Sequence, residues 1–283
     1  MERSMSTQSE NLIPAVKHVV LVGSGKGGVG KSTVAVNLAV ALAETGARTG
    51  LLDADIYGPS IPIMMGSARP TVSPEKKLIP IEAHGLKVMS IGYLVDASSA
   101  MIWRGPMLNS AVIQLLRDVA WGELDYLLVD LPPGTGDVQL TIAQNVSVTG
   151  AVVVTTPQAV AVADVVRAKN MFDQVSIHTL GVIENMSSFV CPSCNATHPI
   201  FATGGGERSA HELGIEFLGS IPIDPRICES GDSGAPLMIS HGKTPAAEAY
   251  RSIVPRLMTG VEEHVAQHGA GQIPIQVVDP KDA

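Results

Sequence analysis

The chain has 283 residues, 45 % hydrophobic and 16 % charged, with a formal net charge of -8. That composition suits one α/β domain with a sizeable core, and the acidic balance excludes a general nucleic-acid surface. Residues 1–11 lack the apolar core of a signal peptide, no stretch has the roughly eighteen uninterrupted apolar residues of a membrane span, and three cysteines are too few for a disulfide framework; a cytoplasmic protein with neither membrane nor nucleic-acid contacts is expected.

Residues 1–16 read as a flexible leader ended by Pro14, ahead of an apolar run of strand length at residues 18–22. Next comes Gly25-Lys26-Gly27-Gly28-Val29-Gly30-Lys31-Ser32, then a stretch rich in Ala, Val and Leu at helical spacing from Thr33 to Thr45. This strand–loop–helix context marks a phosphate loop: glycines let backbone N–H groups turn inward, and the helix presents its positive end to the same point. Lys31 is expected against the β and γ phosphates of ATP, with the Ser32 hydroxyl on Mg2+. Lys26 is a second lysine in the same loop. Two cations around one triphosphate are more than a single subunit needs, so Lys26 either acts on a nucleotide held by a partner chain, as an arginine finger does, or is a solvated surface lysine.

Residues 49–55 form a second buried strand that delivers Asp53 and Asp55 at its C-terminal end, where open parallel sheets bind ligands. Residues 56–77 are rich in proline and read as an irregular excursion with short helical pieces, whose Ile61, Ile63, Met64 and Met65 are either core or a dimer surface. A strand at 86–91 and a helix at 107–120, introduced by Trp103-Arg104-Gly105-Pro106, lead to the clearest strand, Tyr126-Leu127-Leu128-Val129-Asp130. Its terminal acid is in the Walker-B position, reaching magnesium through water. The following Leu131-Pro132-Pro133-Gly134-Thr135-Gly136-Asp137 must be a shaped loop, with Asp137 part of it or the N-cap of the next helix.

Strands at 150–155, 180–184 and 216–219 alternate with helices at 160–174, 207–213 and from 245 onward, the last with a potential kink at Pro255. The fold class is therefore α/β: a doubly wound, mostly parallel sheet with helices on both faces. One phosphate-loop domain is expected over residues 17–268, with an insertion loop near 187–200 and a mobile tail at 269–283. That loop carries Cys191-Pro192-Ser193-Cys194, a knuckle in which both sulfurs can face one point. A closed soft-metal site needs four ligands. Cys228 and His198 could complete a zinc site within the chain, the pair could form a reversible disulfide, or a two-fold axis could bring two pairs together, which is the favoured completion. Cys228 otherwise reads as a buried, inert thiol and His198 as a polar loop residue.

Taken together, the phosphate loop from Ser24 to Thr33, Asp53-Ala54-Asp55-Ile56-Tyr57-Gly58-Pro59-Ser60, the Asp130 to Asp137 segment, Glu184-Asn185-Met186-Ser187 and the cysteine pair resemble the Mrp family of iron–sulfur cluster carrier ATPases. That family lies in the deviant phosphate-loop class with MinD, ParA and the nitrogenase iron protein. The resemblance spans about residues 12–258. It implies a homodimer binding two MgATP, with Lys26 acting across the interface, Asp55 positioning the attacking water, and Asp53 and Asp130 supporting magnesium. It implies that Asn185 reads the adenine edge and that the loop from Pro222 to Asp224 covers the base. Cys191 and Cys194 of each subunit would bridge a labile 4Fe-4S cluster, received from a donor scaffold and passed to apo iron–sulfur acceptor proteins. The competing functions are a MinD- or ParA-type positioning ATPase, for which residues 269–283 supply neither an amphipathic helix nor a basic surface, and a zinc-bridged nucleotide-binding scaffold.

Overall fold

The structure is a computed structural model that describes residues 11–94, 105–134, 137–191, 193, 194 and 196–269. Among the described residues nine strands form one sheet: β1 (Val16–Gly23), β2 (Thr49–Asp53), β3 (Ile81–Ala83), β4 (Leu86–Ser90), β5 (Leu124–Asp130), β6 (Gly150–Thr155), β7 (Thr179–Val190), β8 (Thr197–His198) and β9 (Phe217–Ile223). The helices are α1 (Lys31–Glu44), α2 (Ile61–Met65), α3 (Gly105–Arg117), α4 (Asp137–Asn145), α5 (Ala159–Gln174), α6 (Gly205–Leu213), α7 (Pro225–Asp232), α8 (Leu237–Ser240) and α9 (Pro245–His268). The spatial order is β3-β4-β2-β5-β1-β6-β7-β8, with β9 also paired to β7. From β4 through β7 to β9 every pairing is parallel; β3 and β8 are antiparallel additions.

The sheet is apolar on both faces because its central strands alternate which core they feed. Val20 and Val22 of β1 join Leu38, Leu42, Tyr250 and Leu257 of α1 and α9 on one side. Val19 and Leu21 join Val112, Leu115, Ile142 and Phe172 of α3, α4 and α5 on the other. The doubly wound reading is thus borne out, and the central strands end with their C-terminal tips along one edge.

Several local expectations are corrected. Residues 11–16 are packed rather than a loose leader: Ile13 is buried and the Leu12 amide donates to the Asn145 carbonyl. Apolar side chains so close to β1 reach the core beside α4. The strand of residues 49–55 stops at Asp53, and Asp55 lies in the loop beyond it. Ile61, Met64 and Met65 are core, whereas Ile63 faces solvent, because a helical turn points its neighbours in opposite directions. α9 runs unbroken through Pro255, at the cost of one N–H that would have met the carbonyl a turn earlier. Trp103, Arg104, Thr135, Gly136, Pro192, Asn195 and the expected tail at 270–283 lie outside the described residues.

Candidate functional site

The phosphate loop leaves the tip of β1 between its two parallel neighbours, β5 and β6. Gly28 and Gly30 both adopt φ of 79°, the left-handed region that glycine enters without penalty. Gly25 is required for a different reason: a Cβ there would run into the backbone carbonyl of Asp164 on α5. Val29 is buried beneath the loop, and a Cβ on Gly27 would lie 3.8 Å from Pro133 of the proline loop after β5. The Thr33 hydroxyl faces the Met64 sulfur at 3.9 Å.

Lys31 opens α1 and turns its ammonium onto the carboxylate of Asp130, Nζ to Oδ1 2.6 Å, with both side chains buried. The same ammonium lies 3.3 Å from the Ser32 hydroxyl. Burial pushes the Asp130 carboxyl up against the pull of Lys31, and its second oxygen, Oδ2, is buried without a hydrogen bond. An acceptor left unpaired there needs a partner from outside the chain. Asp130 and Ser32 therefore fit a hard cation such as magnesium, whose preferred ligands are oxygens.

Asp53 is the register partner of Asp130 across β2 and β5. It is wholly buried, and its carboxyl is pushed up to about 7 by burial first and by the neighbouring Asp130 second. Its oxygens accept from the Asp55 amide at 3.1 Å, the Ser90 hydroxyl at 3.0 Å and, more weakly, the Ile61 amide at 3.4 Å. Asp53 thus fastens the loop between β2 and α2. That loop holds Asp55, whose Oδ1 accepts from the Gly58 amide at 3.3 Å. Asp55, Tyr57, Pro132, Pro133, Asp137 and Gln139 line a cavity of about 480 Å³. Asp137 is the first residue of α4, so it borders the cavity and begins the helix at once.

Lys26 reaches Asp164 of its own chain at 3.3 Å, and Arg167 shares that carboxylate at 3.1 Å. Asp164 is missed by sequence reasoning, because its partner is remote in sequence; its one signal is a lone acid in the apolar opening of α5. Asn185 on β7 donates from Nδ2 to the Val29 carbonyl at 2.8 Å, and a Cβ on Gly30 would strike that same amide. β7 therefore buttresses the phosphate loop from the side opposite β5. Ile221 of β9 is the register partner of Asn185, which brings Pro222 beside it. Asp224 caps α7, accepting from the Arg226 amide at 3.0 Å and its guanidinium at 2.7 Å. Burial raises the Asp224 carboxyl, but the Arg226 hydrogen bonds outweigh it and hold the group low.

The cysteine pair lies elsewhere, at the far end of β7. Phe189 and Val190 pair with His198 and Thr197 of β8, and the Cys191 amide donates to the Ala196 carbonyl at 2.9 Å. The knuckle is thus the turn of a short hairpin. Backbone amides of Ser193 and Cys194 point at the Cys191 sulfur and hold its thiol low, as suits a thiolate ligand. All three cysteines are free thiols. Among the described residues no three His, Cys, Asp or Glu converge to hold a metal ion, so neither His198 nor Cys228 completes the set within the chain. Cys228, expected to be buried, is exposed on α7 with its sulfur 3.8 Å from Asp232, because the polar helix turns it outward. No described helix is long and apolar enough to cross a membrane.

The family model for ParA, described as NUBPL iron-transfer P-loop NTPase, matches residues 15–258. An iron–sulfur cluster carrier protein of Deinococcus radiodurans is 52% identical over 93% of this chain and 75% of its own length. The Arabidopsis thaliana mitochondrial iron–sulfur protein required for NADH dehydrogenase is 47% identical over 90% of this chain and 82% of its own. A nucleotide-binding protein of Archaeoglobus fulgidus, solved in complex with ADP and with cobalt, superposes with a TM-score of 0.70 at 42% identity, covering 78% of this chain and 88% of that one. MinD of Pyrococcus furiosus, at 21% identity over 86% of this chain and 99% of its own and a TM-score of 0.63, shares the fold. Phosphate loop, paired carboxylates and cysteine hairpin all fall within the matched span, and the chain belongs to the ParA family of NUBPL-type iron-transfer P-loop NTPases.

Proposed function

We propose that the chain binds and hydrolyses ATP with magnesium and, as a homodimer in the cytoplasm, carries a labile 4Fe-4S cluster from a donor scaffold to apo iron–sulfur proteins. The observation that carries this reading is the hairpin knuckle: two free thiols, one held low by backbone amides, with no third donor among the described residues. Two such knuckles supply the four thiolates that a 4Fe-4S cluster takes.

In this reading the amides from Gly25 to Thr33 cradle the phosphates, and Lys31 exchanges Asp130 for phosphate oxygen. Ser32 and Asp130 hold magnesium, which when bound neutralises charge on the β and γ phosphates. Asp53 fixes the loop that carries Asp55, and Asp55 orients the attacking water from the cavity wall. Lys26 leaves Asp164 to reach the partner's nucleotide. Asn185 of β7 faces the base, and Pro222 of β9 with Asp224 at the start of α7 covers it. Nucleotide then shifts the relative pose of the two subunits, and with it the exposure of the shared cargo.

The test is anaerobic reconstitution with iron and sulfide, followed by iron content and molecular mass. About two irons per chain in a dimer is the expected result. Cys191→Ala with Cys194→Ala should abolish the brown absorption while leaving nucleotide binding intact. Stoichiometric zinc in a colourless protein would instead establish the scaffold, and equal delivery to an apo-acceptor with and without ATP would remove the coupling.

A further inference from the structure

The knuckle sits within an unusual stretch of surface. From Ser187 to Thr203 the sequence contains no Asp, Glu, Lys or Arg, in a chain whose formal net charge is -8. Within it, just past the end of β8, Ile200 and Phe201 are 54% and 51% exposed. Thr197 pairs with Val190 beside Cys191, and these two side chains emerge three and four residues beyond Thr197, at most about 13 Å from it along an extended chain. Two adjacent large apolar side chains are costly to leave in water.

We propose that Ile200 and Phe201 form an apolar collar through which two copies of this chain grip each other beside the shared cluster. The inference rests on the cluster reading above and adds what else holds the subunits together there. A second copy is the occupant that the observations favour. A four-thiolate cluster brings two identical hairpins within bonding reach of the same few atoms, so whatever flanks one knuckle meets its own image across a two-fold axis. Two acidic chains repel wherever their charges face, and an uncharged apolar collar is self-complementary.

The experiment compares the wild type, Ile200→Asp with Phe201→Asp, and the conservative Ile200→Val with Phe201→Leu, each reconstituted anaerobically. The readouts are mass by light scattering across a dilution series, iron per chain, rate of cluster loss to an iron chelator, and ATP affinity. The aspartate pair should raise the dimer dissociation constant at least tenfold and speed chelation by a similar factor. ATP affinity measured on the undimerised chain at high dilution should be unchanged, since neither residue is among those placed at the nucleotide site, and the conservative pair should behave as the wild type. Unchanged dissociation and chelation in the aspartate pair would overturn the collar. So would loss of delivery to an apo-acceptor with dimerisation intact, which would assign the patch to the acceptor. A wild type that pairs with ATP but takes up no iron would sink the cluster reading alone, leaving the collar to be judged by the same mass comparison. A wild type that stays a single chain throughout overturns both.

Discussion

Lys26 and Asp164 form an ion pair at 3.3 Å within one subunit, although the lysine's proposed target lies in another. The pair competes with assembly. Lys26 is about a third exposed, so the contact stabilises the separate chain by at most about 1 kcal/mol. Asp164→Asn should accordingly tighten ATP-dependent dimerisation by up to about fivefold for each of the two pairs released, with the pair's screening making the effect smaller at high salt. Sedimentation at low and high ionic strength would measure it; weaker dimerisation in the variant would show instead that Asp164 aids assembly.

Gly25 abuts the Asp164 carbonyl with no room for a methyl group. Gly25→Ala should push the phosphate loop off α5 at a cost of about 1–3 kcal/mol, and ATP affinity should fall at least tenfold. Gly46→Ala is the control, since nothing lies within 4 Å of the added Cβ although its φ of +90 penalises the backbone. Calorimetric titration should show affinity lost in the first variant and kept in the second, with stability reduced in both.

In the proposed reading Lys31 divides its charge between Asp130, 2.6 Å away, and an incoming phosphate. Asp130→Asn should lower unfolding stability by about 3 kcal/mol, because a buried ammonium loses its counter-ion. It should nevertheless bind ADP at least as tightly as the wild type when magnesium is withheld, since the ammonium no longer has to leave a carboxylate. Denaturant titration and magnesium-free ADP binding together separate this from general misfolding, which would weaken both.

Acid should destabilise the end of α9. His178, His264 and His268 stack in series, with ring centroids 4.4 and 4.6 Å apart. Burial, then neighbouring histidines, lower the folded-state values of His178 and His264 below the ordinary 6.5. The unfolded chain therefore binds more protons than the folded one in this range, so stability is full above about pH 6.5 and declines as pH falls through it. His264→Phe keeps the stack without the charge and should flatten the decline, read as denaturant midpoints at about pH 7.5 and 5.5.

The sheet and its nucleotide loops were legible because their signals are local: an apolar run, a glycine turn, an acid at the strand tip. Asp130 could be assigned from five consecutive residues. The contacts that complete the site are not local. Asp164 meets Lys26, and Asn185 meets Val29, only because α5 and β7 fold back over β1, and no spacing announces either pair. The short α7 and α8 were hidden by glycine, serine and proline, which favour turns in isolation and are helical here through capping by Asp224 and packing of Leu237 and Met238. β7 was foreseen only to Glu184 because its later half is serine-rich and passes through Met186, whose φ of 57° breaks the regular pleat.

That long strand has a consequence of its own. Asn185 grips the carbonyl of Val29, and six residues onward the same backbone reaches Cys191 by way of the left-handed bend at Met186. β6 clamps the first half of the strand into the sheet interior, and β9 pairs with it on both sides of that bend, out to Phe189. In the proposed reading, a shift of Val29 when phosphate enters is handed through Asn185 to a strand that is anchored at its root and bent at Met186, and whose far end bears the thiols.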